Sequence, residues 1–433
     1  MDLHGIKGGQ TNFKRTGKCD ARCARNGGVS CVLVESFFCL NIHSLLTWLL
    51  MTSPDASSSS AKALYIMVGG FLGAGKTTAV AALAQRLSAK GLRVGLITND
   101  QGQELVDTAM LRAKGFATEE IPGGCFCCRF NSLVDAADRL TEATRPDVFI
   151  AEPVGSCTDL VATVTYPLRR MYGSQFRIAP LSVLVDPVRA QRVFGLQAGG
   201  SFSQKVIYIY KKQLEEADFI VISKSELLDE GQMQALKKAI ALEFPNAEVL
   251  AASVRSGAGV DDWFEKIEAG EQVERSTMAV DYGVYAEGEA LLGWLNATVA
   301  CTPDVEFDAN VFLRAFAAEM QRRLQLAGAE IAHLKMTFSP DEGLGDIAVV
   351  NLVRSDFVPE LAIRLEQPAG SGQVIVNLRA EADPETLSSV LRDALPAATL
   401  DVPGLNAALE HLEFFKPGKP VPTHRVGAES QNL

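Results

Sequence analysis

The sequence predicts an α/β protein: a parallel-sheet P-loop nucleotide-binding domain followed by a smaller α+β domain. Three observations predict it. A glycine-rich run, Gly70-Phe71-Leu72-Gly73-Ala74-Gly75-Lys76-Thr77, directly follows the apolar Leu64–Val68 segment and opens a helical pattern from Thr77 to Ala89. From Lys62 onward, short continuous apolar runs alternate with amphipathic stretches, the pattern of strands buried on both faces of a parallel sheet. After about Arg275 the alternation stops, and strand-like runs at Asp281–Tyr285, Leu292–Val299, Ala332–Phe338, Ile347–Val353, Leu361–Leu365 and Val374–Leu378 cluster with helical stretches at Ala309–Leu326 and Pro384–Leu395, as in an α+β unit whose helices share one face of an antiparallel sheet.

The chain has 433 residues, 47% of them hydrophobic and 21% charged, which suits a folded protein of two or three domains at about 150 residues each. A net charge of -11 argues against a nucleic-acid surface, which needs a basic face. The first 50 residues differ from the rest. A basic lead (Lys14, Arg15, Lys18, Arg22, Arg25) precedes the apolar run Phe37–Leu50, which is too short to span a membrane comfortably. Met51 offers an alternative start before the Ser-rich leader Thr52–Ser60, so residues 1–50 are expected to lie outside the functional protein. The expected layout is then a P-loop domain over 51–275, an α+β domain over 276–415 and a flexible tail over 416–433 carrying Pro417, Pro420 and Pro422.

Within the first domain the strands are expected at Leu64–Val68, Val94–Thr98, Val148–Ala151, Leu181–Val185, Phe219–Ile222 and Val249–Ala252. Ligands gather at the carboxyl ends of such strands. Gly70, Gly73 and Gly75, with Ala74 between them, let backbone amides turn toward phosphate oxygens. Lys76 would reach the β- and γ-phosphates, and Thr77, followed by Thr78, would ligate Mg²⁺. Asp100 and Glu152, at the next strand ends, are candidates to hold Mg²⁺ or order the attacking water, and the Gly155 amide to meet the γ-phosphate. Asp186 stands at another strand end. In Ser223-Lys224-Ser225-Glu226, the Glu226 carboxylate can accept the paired N–H groups of guanine, whereas adenine offers an acceptor at N1. The Lys224 stem can lie on the base, and Ser253 ends the last strand.

Gly123-Gly124-Cys125-Phe126-Cys127-Cys128 is the second motif. Three thiols in four positions can present soft donors to one ion such as Zn²⁺, Co²⁺ or Cu⁺. Cys157 is expected to serve packing. Clustered free thiols and an NTP requirement place the protein in the cytoplasm.

With these motifs the chain, from about Ala61 to Leu395, resembles the CobW-like GTPases, relatives of the nickel-insertion GTPases in the SIMIBI class. The resemblance rests on Gly69–Thr78, the Cys-x-Cys-Cys at Cys125–Cys128, the Glu-x-x-Gly at Glu152–Gly155, and Gln213–Asp218 leading into Ser223–Glu226 and Ser253–Val260. It implies a GTP-hydrolysing metallochaperone or insertase with Mg²⁺, a transition metal at the thiols and a client metalloprotein as partner, with a homodimer as a further candidate assembly. The chain departs from the family in Asn99-Asp100-Gln101-Gly102, where Asn-Glu-Phe-Gly is usual, and in lacking a histidine-rich segment. Two competing readings are a regulatory nucleotide switch with structural or redox cysteines, and a P-loop ATPase or small-molecule kinase.

Overall fold

The structure, a computed structural model, describes residues 62–99, 106–342 and 346–427. The expectations for residues 1–50, for the Thr52–Ser60 leader and for Asp100 lie outside the described residues.

Eight strands form the first sheet: β1 (Ala63–Gly70), β2 (Val94–Asn99), β3 (Ala117–Ile121), β4 (Val148–Glu152), β5 (Phe176–Ile178), β6 (Ser182–Val185), β7 (Phe219–Ile222) and β8 (Glu248–Ala251). They pair in parallel in the order β3-β2-β4-β1-β6-β7-β8, with β5 also on β1. Alternate residues feed two cores. Tyr65, Met67, Phe149 and Val183 pack on one face, while Leu64, Ile66, Ile150 and Leu184 pack on the other. That double burial explains why these strands read as unbroken apolar runs. The crevice lies at the end of β1, between β4 and β6, where the strand order switches sides.

The second sheet is antiparallel, built from β9 (Leu292–Pro303), β10 (Glu330–Pro340), β11 (Ala348–Leu352), β12 (Glu360–Ile363), β13 (Gly372–Glu381) and β14 (Leu405–Phe415) in the order β12-β11-β10-β13-β9-β14. The Ala309–Leu326 and Pro384–Thr399 helices cover one face, burying Phe312, Phe316, Leu387 and Leu391 with Leu334, Met336 and Phe338 of β10. The other face turns toward the glycine-rich loop. A Cβ added to Gly73 would lie 3.0 Å from Val353 Cβ and 3.2 Å from Ala332 O.

Three features correct the sequence reading. Asp281–Tyr285 is no strand: Asp281 accepts hydrogen bonds from the Gly283 and Val284 amides at 2.8 and 3.1 Å and so caps the Tyr282–Leu291 helix. β3, β5 and β14 were not anticipated; β3 carries Glu119 and Glu120 on the sheet edge, where polar residues are tolerated. The stretch from Lys416, expected to be mobile, is extended as far as Gly427 but fixed. Val426 N donates to Ala162 O at 2.8 Å, and Arg425 pairs with the buried Asp159 at 2.7 Å.

Candidate nucleotide site and metal centre

The glycine-rich loop turns where β1 ends. Gly70 has φ +131°, and a Cβ there would fall 2.4 Å from Leu184 O, so the position demands glycine. Gly75 stands as the N-cap of the Lys76–Ala89 helix at φ +90°, with no side chain capping the first turn. The first turn therefore opens from a glycine at the loop, and the helix dipole favours an anion there. Lys76 and Thr77 are buried at the helix start, and Thr77 Oγ1 donates to Glu152 Oε1 at 2.9 Å. The hydroxyl and carboxylate that a Mg²⁺ ion would need thus already face each other. Gly155 brings the Glu152 loop close: a Cβ there would lie 2.8 Å from Leu72 Cδ2 and 2.9 Å from Leu72 N.

A cavity of about 630 Å³ runs along this crevice. Gly73, Gly75, Lys76, Thr77, Thr78, Glu152, Gly155, Lys224 and Glu226 all line it. Lys224 sits at φ +48° and donates its ammonium to Gly73 O and Asp186 Oδ2, both at 2.9 Å, which fixes its stem across the mouth of the loop. Glu226 is exposed on the short Ser225–Leu227 turn, with its carboxylate available to a ligand. Ser223 accepts no such role, because its hydroxyl donates to Ala74 O at 2.8 Å and helps hold the loop. Ser253 is fully buried and accepts from the Ser256 amide at 3.1 Å; Ala252, Val254 and Arg255 line the cavity around it.

The C-terminal sheet forms the far wall, a contribution invisible in the sequence. His333 and Lys335 of β10, Asn351 of β11, Asn377 and Arg379 of β13 and Trp294 of β9 line the cavity. Charged side chains bolt this wall to the first sheet. Arg189 donates to Leu72 O and Val353 O, each at 2.6 Å, and Arg354 Nη1 meets Asp186 Oδ1 at 2.8 Å. Burial alone would raise the Asp186 carboxyl, but Lys224, Arg354 and Arg189 outweigh it and push it down to about 2.

The cysteine loop hangs from the neighbouring strand end. Asn99, the last residue of β2, donates to Ile121 O at 2.8 Å and Gly124 O at 2.6 Å. Behind that anchor the thiols converge: Cys125 Sγ lies 2.7 Å from Cys127 Sγ and 3.1 Å from Cys128 Sγ, with 3.7 Å between the last two. Cys125 and Cys127 are buried and Cys128 is half-buried. Hydrogen bonds from Cys127, Cys128 and Cys157 hold the Cys125 thiol well below its usual range, so Cys157 joins the cluster as well as packing. The same contacts resist further proton loss, raising Cys127 and pushing Cys128 up to about 11. A soft cation would displace these shared protons, and three sulfurs within 4.8 Å of one another fit one thiophilic ion. The C-terminal stretch crosses this loop: Val421 N donates to Cys128 Sγ at 3.3 Å, Thr423 N to Cys127 O at 2.8 Å, and the His424 ring meets Phe130 edge-on.

Among the described residues no helix is long and apolar enough to cross a membrane. The zinc chaperone CobW of Sinorhizobium sp is 27% identical over 289 residues, covering 57% of this chain and 80% of that protein. The zinc chaperone YeiR of Escherichia coli K12 is 27% identical over 175 residues, covering 40% of this chain and about half, 49%, of its own length. The crystal structure of the Zn(II)-bound YjiA GTPase from E. coli aligns over 77% of this chain and 99% of that one at 14% identity, with a TM-score of 0.32. The family model for the CobW/HypB/UreG nucleotide-binding domain matches residues 64–250, a span holding the glycine-rich loop, the cysteine loop, Glu152 and Glu226. Residues 64–250 are a nucleotide-binding domain of the CobW/HypB/UreG family.

Proposed function

We propose that this protein is a GTP-hydrolysing metallochaperone that holds Zn²⁺ at Cys125, Cys127 and Cys128 and passes it to a client metalloprotein. One observation carries the reading: the three thiols converge on a loop tied by Asn99 to the end of β2, the strand paired with β4, which ends at Glu152 of the phosphate site. Glu226 at the cavity rim supplies the acceptor that guanine requires, which favours GTP over ATP. The residues present fit Mg²⁺, with Thr77 and Glu152 supplying hard oxygens and Lys76 countering phosphate charge. When bound, that ion would neutralise charge on the β- and γ-phosphates. The site belongs in the cytoplasm, where GTP is supplied and thiols stay reduced.

In this reading the metal is cargo. Loss of the γ-phosphate would alter the loops around Glu152 and Asn99, and the thiols would be pulled out of a common coordination sphere. Reciprocity follows: metal tightens GTP binding by the factor that GTP tightens metal binding. The test is titration of Zn²⁺ and Co²⁺ into the nucleotide-free, GDP-bound and non-hydrolysable-GTP-bound protein. The expected result is tightest binding in the GTP-like state, with Cys127→Ser or Cys128→Ser removing the difference while leaving nucleotide binding intact. Equal metal affinity in all three states overturns the coupled delivery.

A further inference from the structure

We propose that Lys335, delivered by the C-terminal sheet, is a phosphate-contacting cation of the nucleotide site, so that this sheet reads whether a γ-phosphate is present. The inference deepens the GTP-hydrolysis reading and rests on it. Lys335 Nζ lies 3.4 Å from Thr77 Oγ1, the hydroxyl that also bonds Glu152. An ammonium from 258 residues down the chain therefore stands at the spot where phosphate charge would be densest.

A local irregularity puts it there. β10 pairs regularly with β13 except between Ile331 and His333, where Ala332 is an extra, unpaired residue. Side chains alternate along a strand, and one extra residue reverses the alternation beyond it. Ile331 sits in the C-terminal core, and so do Leu334 and Met336, an odd step apart. Ala332 itself packs into the core of the first domain. Without the bulge Lys335 would share the face of Ile331 and point into that apolar core; with it, Lys335 faces the glycine-rich loop.

The wall that carries Lys335 is fixed. Lys335 is opposite Asn351 on one side and Asn377 on the other, and Arg189 clamps Leu72 O to Val353 O. The ammonium is thus held by a rigid support, while its four-carbon stem stays adjustable. A charged phosphate oxygen is a stronger acceptor than the neutral Thr77 hydroxyl, so bound nucleotide would draw the ammonium away from it. The strongest new acceptors within the cavity would then be γ-phosphate oxygens. In hydrolysis the water oxygen bonds to the γ-phosphorus as its bond to the bridging oxygen breaks. The electron pair goes to the β-phosphate, and the water proton ends on the released phosphate. Lys335 would counter the negative charge spread over the γ-oxygens in that step.

The test uses the full-length protein with Lys335→Met, which keeps the stem's packing, and Lys335→Arg, which keeps the charge. Affinities for GDP and a non-hydrolysable GTP analogue are measured by calorimetry, beside turnover and melting temperature. The expected result for Lys335→Met is a fall of about tenfold or more in preference for the GTP analogue over GDP, with GDP affinity and melting temperature nearly unchanged. Turnover should fall by about 10² to 10³, the range for losing one transition-state charge contact, and Lys335→Arg should restore much of both. An unchanged preference, or equal loss for the two nucleotides, overturns the role of Lys335 while leaving GTP hydrolysis standing. A wild-type protein that binds no GTP overturns both.

Discussion

Thr77 Oγ1 donates to Glu152 Oε1 at 2.9 Å across 75 residues of sequence, so the hydroxyl of the glycine-rich loop and the carboxylate ending β4 are preassembled. An arrangement made before the ligand arrives acts on the transition state more than on the ground state. Glu152→Ala is therefore expected to lower turnover by about 10² or more while changing GTP affinity only a few-fold. Lys76→Ala should abolish hydrolysis. Steady-state kinetics beside equilibrium binding separates the effects: equal losses in both quantities for Glu152→Ala would make that residue structural, and near-normal turnover in Lys76→Ala would remove the phosphate-site assignment.

Base selection is expected to reside in Glu226. Charged hydrogen bonds to the guanine edge are worth about 1.5 to 3 kcal/mol each. Competition binding should show GTP well ahead of ATP, with Glu226→Ala closing most of the gap by weakening GTP alone. Wild-type protein that binds both nucleotides equally would contradict this role.

Asp186 is the hub between the first sheet and the C-terminal wall, facing Lys224 and Arg354. Its carboxyl is held at about 2, below the ordinary carboxylate value. A depressed folded-state value stabilises the protein above pH 4, by about 2 kcal/mol, and that stability is lost as pH falls toward 2. Asp186→Asn leaves buried cations unmatched and should cost about 3 to 5 kcal/mol at pH 7. Calorimetric melting at pH 7 and pH 3 should show the gap between variant and wild type narrowing at the lower pH. A constant gap would mean that the carboxylate charge is not what joins the two sheets.

The C-terminal stretch guards the thiols. Val421, Thr423 and Arg425 attach it to Cys128, Cys127 and Asp159. A chain ending after Pro417 should alkylate at Cys128 on the order of tenfold faster, as expected from losing local protection of about 1.4 kcal/mol. Mass-spectrometric alkylation rates check this, and an unchanged rate would show that the stretch leaves the thiol open.

The first domain was legible because its strands are short apolar runs fed by local signals, and the glycine, cysteine and glutamate motifs sit where those runs end. What escaped was set by pairing at a distance. β14 alternates exposed residues such as Asn406 and His411 with partly buried ones, and only its pairing with β9 makes it a strand. Tyr282–Leu291 depends on a cap at Asp281 in a stretch that is apolar enough to read as strand. The basic wall of the cavity was hidden for a sharper reason: the parity of β10 changes at Ala332, and no residue type announces a bulge. Asp100, expected at the phosphate site, lies outside the described residues.

The stretch over the cysteine loop also sets an order of events during synthesis. Val421 is 293 residues beyond Cys128, so at about 5 to 20 residues per second the thiols leave the ribosome roughly 15 to 60 s before their cover exists. Throughout that interval the nascent chain carries three closely spaced thiols that the stretch does not yet cover. Stray metal and oxidants would meet the site at its most open, which makes the newly made protein, rather than the finished one, the form most exposed to mismetallation and sulfur oxidation.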